Sequence, residues 1–189
     1  MQYQEIIDRL TVILTKKRMD HSRGVSQTAV LLARRFGADE SKAALAGILH
    51  DCAREIPRHE LITEAVKWKI AVGTVECQEP VLLHAPLGAK MAEKQYGIRD
   101  QEVLNAIKLH TLGGPSMSIL AKIIYLADFI EPGRSFSGVD KLRALAEVSL
   151  DTALLAAYDY NIEYIIKKGG LIHPTSVEGR NELLIHISK

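Results

Sequence analysis

The stretch Ala43-Ala44-Leu45-Ala46-Gly47-Ile48-Leu49-His50-Asp51-Cys52-Ala53-Arg54-Glu55 decides how the chain is read. Ala43 to Leu49 is an apolar run that reads as buried helix, and it ends on an imidazole and a carboxylate side by side. Burying two such groups is costly unless each has a partner. A divalent cation would satisfy both, because neutral His and ionised Asp are both good ligands. A His-Asp pair arises often by chance. Here, however, His21, His84, His110 and Asp128 also stand within or beside apolar segments.

Outward from this pair, almost every segment has helical spacing and none shows convincing strand alternation. Toward the N-terminus, a helix is expected from about Tyr3 to Lys17, with Ile6, Leu10, Ile13 and Leu14 on one stripe. Asp20 is a plausible N-cap for a second helix through Phe36, stopped by Gly37; His21 then opens it on the face of Val25, Ala29 and Leu32. Asp39 or Ser41 caps the helix that runs into His50 and Asp51. Toward the C-terminus, Pro57 starts a more polar helix through Trp68, and Ala71 to Glu79 reads as a loop. Pro86 kinks or begins the helix that ends near Tyr96, which leaves His84 at a break in regular structure. Asp100 caps a helix that stops at His110-Thr111, before Leu112-Gly113-Gly114-Pro115.

Ser116 to Ile130 is apolar nearly all round, the mark of a central helix, and Asp128 is its only acid. A turn at Glu131 to Ser135 follows, then helices near Val139 to Glu147, Ser149 to Lys168 and Val177 to Ile187. With no repeat, linker or low-complexity segment, the expectation is an all-α fold: one helical bundle spanning residues 1–189.

Length allows one domain with a proper core at 189 residues. With 24 basic and 23 acidic side chains, no global charge argues for nucleic acid or a membrane surface, so an anionic ligand must be met by a local cluster. Cys52 and Cys77 make no disulfide framework and fit a reducing cytoplasm. The charged N-terminal stretch is no signal peptide, and the most apolar segment, Met117 to Ile130, is too short to span a bilayer comfortably.

Taken singly, a buried histidine is usually a hydrogen-bonded core residue and a helix aspartate usually a cap or ion-pair member. Together, His21, His50, Asp51, His84, His110 and Asp128 have no cheap structural explanation. Two imidazoles and two carboxylates from three helices, His21, His50, Asp51 and Asp128, would hold a divalent cation and leave positions for water and substrate. His59, His173 and His186 sit in polar surroundings and read as surface residues; Arg54 and Glu55 read as a surface salt bridge or as partners that orient the ligands, and Arg180 as part of a solvated face or a substrate contact. Cys52 could serve as a nucleophile, but a metal-activated water makes that role unnecessary. Gly113 and Gly114 form no phosphate loop, since no Lys-Ser/Thr follows.

The order His21, His50-Asp51, Asp128 resembles the HD superfamily of metal-dependent phosphohydrolases. Leu83-His84-Ala85-Pro86-Leu87-Gly88-Ala89, Leu109-His110-Thr111 and Tyr125-Leu126-Ala127-Asp128-Phe129-Ile130-Glu131-Pro132-Gly133-Arg134 narrow it to the small bacterial HD proteins of the YqeK type. The resemblance runs from about Met19 to Arg180, with the motif region at about 19–134. It implies symmetrical hydrolysis of diadenosine tetraphosphate to two ADP. It implies that His21, His50, Asp51 and Asp128 bind the metal, with iron the family expectation and Mn, Co or Zn compatible with the donor set.

It also implies that His84, His110, Thr111 and Arg134, with His21, Asp51 and Asp128, meet the nucleotide. In larger members of the superfamily the equivalents of His84 and His110 bind a second metal, so one ion or two remain open. The general acid is not assigned. Other readings are a phosphodiesterase or nucleotide phosphohydrolase using the same metal site, a nucleotide sensor without turnover, and a purely structural bundle. The amphipathic outer helices would serve a homodimer or simply the core.

Overall fold

A computed structural model describes residues 2–188. Its frame is a close pair of helices, α2 (Lys16–Phe36) and α3 (Glu40–Leu49). The face of α2 toward α3 carries Ser22, Val25, Ser26, Ala29 and Ala33, mostly small residues at three- and four-residue spacing. Gly47 of α3 meets that face: a Cβ there would lie 2.6 Å from the Cα of Ser26. The Ser26 hydroxyl donates to Ala44 O at 2.9 Å and seals the crossing. Asp39 is the cap of α3, its carboxylate accepting from the amides of Ser41 and Lys42.

The central element is α8 (Ile119–Ile130), with eight buried side chains, capped by Ser118. It packs against α2, α3, α7 (Gln101–Leu109) and α10 (Leu150–Lys167). α1 (Tyr3–Ile13) lays Ile6 and Leu10 into the same core. α6 (His84–Gln95) pairs with α7, whose cap is Asp100. A smaller apolar cluster of Ala53, Leu61, Ala65, Leu83 and Leu87 sits under α4 (Leu61–Lys67). α5 (Thr74–Gln78), α9 (Val139–Ala146) and α11 (Pro174–Ile187) complete the fold, and no strand occurs among the described residues. The expected all-α fold is the observed one.

Several expected boundaries differ for physical reasons. The first helix ends at Ile13, and Leu14 and Thr15 are extended, because Thr15 gives both its amide and its hydroxyl to Glu55, 40 residues away. The second helix therefore starts at Lys16. Asp20 is not its cap: it lies one turn inside and pairs with Lys16 at 2.6 Å. The polar helix after Pro57 begins only at Leu61, after a turn. Ala71 to Glu79 is not all loop: α5 is a single turn and a half, started by the Glu76 carboxylate on the Gly73 amide, and is too short to show a period. Pro86 begins rather than kinks its helix. It stands in the first turn of α6, where a missing N–H costs no bond, behind a 3-10 turn at Pro80–Leu83. α8 starts at Ile119 rather than Ser116, which has a positive φ of 55°.

The crossing of α2 and α3 gives the first prediction. Gly47→Ala drives a methyl into the Ser26 backbone and should destabilise the fold by about 1–3 kcal/mol. Urea denaturation should show a lower midpoint with an unchanged m-value; a midpoint equal to the parent's would refute the close crossing.

Candidate metal centre

Three histidines occupy the same local position. His50 follows the last residue of α3, His110 follows the last residue of α7, and His84 follows the 3-10 turn. Each turns its Nδ1 back to the carbonyl three residues earlier: Gly47 O at 2.7 Å, Ile107 O at 2.7 Å and Val81 O. The last carbonyls of a helix lack partners within it, so they are ready acceptors. A carbonyl cannot donate, so Nδ1 carries the proton in each ring. Every Nε2 is thereby left as a bare lone pair facing inward.

His21 reaches the same state differently. It stands inside α2, and its Nδ1 lies 3.1 Å from the carboxylate of Glu131, which is 4% exposed and also accepts from the Gly133 amide. Gly24 leaves room for that carboxylate, since a Cβ at 24 would lie 2.6 Å from Glu131 Oε2. Glu131 thus does for His21 what main-chain carbonyls do for the others.

The inward lone pairs meet in two groups. His21 Nε2 and His50 Nε2 are 3.3 Å apart, with Asp128 Oδ1 at 3.0 Å from the first and 3.9 Å from the second. Asp51 Oδ2 lies 3.8 Å from His50 Nε2. On the far side of Asp51, His84 Nε2 and His110 Nε2 are 3.0 Å apart, and Asp51 Oδ1 lies 3.2 and 3.7 Å from them. The Thr111 hydroxyl touches both nitrogens, at 3.2 and 3.0 Å, yet its single hydrogen can serve only one. Lone pairs so opposed repel unless a cation or an extra proton lies between them. This donor set fits a divalent cation at His21, His50, Asp51 and Asp128, and its convergence repeats at Asp51, His84 and His110.

The electrostatics favour ligation. Burial pushes His50 down to about 4, and Asp51 offsets only part of that; burial also lowers His84. Both are neutral at pH 7. Burial would raise Asp51 and Asp128, but neighbouring histidines, joined at Asp128 by Arg134, hold both carboxyls well below the usual range. His21 is the exception: burial is outweighed by hydrogen bonds to Asp128 and Glu131, its pKa is raised, and in the metal-free protein a proton competes with the ion at its Nε2.

The structure therefore brings together His21, His50, Asp51, Asp128, His84, His110 and Thr111. Arg134 joins them through Asp128, donating from Nη2 to the carboxylate and from Nε to its main-chain O at 2.6 Å. Sequence reasoning gave no role to Glu131 or to Arg18, whose Nη1 lies 3.1 Å from Asp51 Oδ2. Glu131 stood inside a quoted motif; nothing local pointed to Arg18. His173 is not a free surface residue: it is partly buried, meets Glu76 at 3.2 Å and caps α11. Glu55 binds Thr15, and Arg180 pairs with Asp159 at 2.7 Å. Cys52 is fully buried and pushed up to about 12 by burial, so it stays a thiol and is no nucleophile.

Residues 18–133 match the family model described as HD domain, a span that holds His21, His50, Asp51, His84, His110 and Asp128. The chain belongs to the HD domain family. Among its HD-domain relatives, a symmetrical bis(5'-nucleosyl)-tetraphosphatase of Halalkalibacterium halodurans is 41% identical over 172 residues, with 91% of each chain covered. One of the same description from Bacillus subtilis is 39% identical, covering 92% of this chain and 93% of that one. A Clostridium acetobutylicum crystal structure, described as a predicted HD superfamily hydrolase involved in NAD metabolism, superposes with a TM-score of 0.95 at 44% identity over 98% of both chains. No helix among the described residues is long and apolar enough to cross a membrane.

Two outcomes follow for this HD centre. Glu131→Ala removes the acceptor that turns His21 inward and should weaken metal binding about 10- to 100-fold, with Glu131→Gln, which keeps an acceptor oxygen, much closer to the parent. Competition with a chromogenic chelator reads this directly, and equal affinities in all three proteins would refute the role. In metal-free protein, His50 takes up its proton near 6.5 when unfolded but near 4 when folded. The unfolded state binds more protons between those values, so stability should fall as pH drops from about 6.5 to 4, by about 3 kcal/mol from His50. The raised His21 works in the opposite sense, losing its contribution as pH rises through its folded pKa. A urea midpoint flat from pH 6.5 to 4 would contradict this balance.

Proposed function

We propose that this HD-domain protein is a metal-dependent phosphoanhydride hydrolase that cleaves diadenosine tetraphosphate at its central anhydride to give two ADP. The observation that supports it most is the pair of opposed imidazole couples sharing Asp51, a site built to hold positive charge against a polyphosphate. The two curated relatives covered almost end to end carry that activity in their descriptions.

In this reading His21, His50, Asp51 and Asp128 hold the ion, with iron expected and Mn, Co or Zn compatible with nitrogen and oxygen donors. A bound divalent ion supplies an acidified water and a Lewis acid for a phosphoryl oxygen. The chain's own groups do the rest. Arg134, pinned by Asp128, keeps Nη1 for a phosphate oxygen near the ion. With Nδ1 committed to a carbonyl, His84 and His110 donate to a departing ADP only from an Nε2 that carries a second proton, which Asp51 Oδ1 would stabilise. Thr111 donates to whichever nitrogen remains bare. The unpaired cysteines suit a reducing cytoplasm.

A second reading of the His84 side is favoured by the same geometry: a second cation on Asp51, His84 and His110. Metal analysis then gives two ions per chain in the parent and one in His110→Ala.

The test is product analysis of metal-loaded protein with diadenosine tetraphosphate. ADP should be the only nucleotide formed, and His50→Ala and Asp128→Ala should lose metal and turnover together, by about 100-fold or more. ATP plus AMP would place the attack off-centre and overturn the symmetrical assignment. Full metal occupancy without turnover would shift the reading to another phosphoester or to a nucleotide sensor.

A further inference from the structure

Symmetrical cleavage makes a demand that the metal centre alone does not meet. The scissile P–O–P link lies in the middle of the substrate, so a nucleoside with two phosphates extends from the ion in each direction. His84, His110 and Thr111 stand on one side of Asp51. On the other side, beyond His21 and Arg134, a cavity of about 1180 Å³ opens between the first turns of α2 and the turn from Glu131 to Phe136. That is ample for a mononucleotide, since small-ligand pockets run to roughly 300–1,000 Å³.

The charge in this cavity is not that of the whole chain. Basic and acidic residues nearly cancel overall, 24 against 23, yet this wall carries Lys16, Lys17, Arg18, Arg23 and Arg134 against Asp20 and Glu131. Both acids are already engaged: Asp20 with Lys16 at 2.6 Å, Glu131 with His21 and the Gly133 amide. Lys17 and Arg23 pair with no carboxylate among the described residues, so both are free to meet an anion. Arg18 joins cavity to centre, its guanidinium on Asp51 Oδ2 at 3.1 Å and its side chain in the wall. Phe136, held against the rings of Phe129 and Tyr160, adds a partly exposed aromatic surface to the lining.

From this juxtaposition we infer that the cavity between α2 and the Glu131–Phe136 turn is a second nucleoside diphosphate subsite, holding the half of the substrate that points away from His84 and His110. Lys17, Arg23 and Arg134 meet its phosphates, Arg18 marks the step from the ion into the cavity, and Phe136 meets the nucleoside. Guanidinium and ammonium groups held unpaired beside a metal centre are phosphate receptors by their chemistry. The inference rests on the hydrolase reading for its substrate, and on the cavity alone for its ligand class.

The experiment uses the full, metal-loaded chain and the double variant Lys17→Glu, Arg23→Glu, both exposed positions outside the set that holds the ion. Equilibrium dialysis with ADP should count two molecules per parent chain and one per variant chain. The KM for diadenosine tetraphosphate should rise at least about tenfold in the variant, with kcat and metal content within about twofold. One ADP per parent chain, loss of both ADP in the variant, or an unchanged KM would each overturn the subsite. If the parent makes no ADP from diadenosine tetraphosphate, the hydrolase reading fails by itself, and the dialysis counts still decide the subsite.

Discussion

Everything at the centre depends on where four imidazole protons are. Each ring has its Nδ1 hydrogen committed to an acceptor, three to helix-end carbonyls and one to Glu131, so four lone pairs are turned toward one another in a buried space. A buried polar group without a partner costs about 1–3 kcal/mol, and several lie together here. The surrounding packing carries that cost: eight buried side chains on α8 and the tight crossing of α2 on α3 set the helix ends where they are. Such a site is preorganised for a cation at the expense of the empty state, so binding the ion adds to folding stability as well as to chemistry.

Asp51 is the joint between the two halves of the centre. One oxygen faces His50 and Arg18, the other His84 and His110. Its position one residue past His50, just beyond the end of α3, is what allows this. His50 keeps helical dihedrals, φ −54° and ψ −38°, so Asp51 stands about 100° round the axis from it and can turn one oxygen back to His50 while the other faces His84 and His110.

This also explains what the sequence shows and what it hides. Helix content, the caps at Asp39 and Asp100, and the central helix around Asp128 are written in local pattern, and so are the histidines at helix ends. The break at Thr15 is not, because its cause is Glu55 forty residues on. That single miss shifted the start of α2 and placed His21 at a helix opening, when it sits in the second turn with its face fixed by Glu131 from the far end of α8. Arg18 was invisible for the same reason, its partner being Asp51 on another helix. α5 was hidden by brevity, and His173 looked free because Glu76 is 97 residues away. Ligands announce themselves through buried polarity, but the groups that orient ligands are ordinary charged residues until their partners are known.

A chain that is almost neutral overall yet binds a strongly anionic substrate must concentrate its cations and spend few of them in ion pairs. Most basic side chains elsewhere are matched, as in Arg34 with Glu40, Lys42 with Asp100 and Glu102, and Lys122 with Asp151. The wall from Lys16 to Arg23 sets Lys17 and Arg23, which have no carboxylate partner among the described residues, against the centre rather than on a remote face. Fields from such a patch are felt over about 8–10 Å at ordinary ionic strength. A polyphosphate is therefore attracted first by Lys17 and Arg23 and drawn inward past Arg18 to the buried donors.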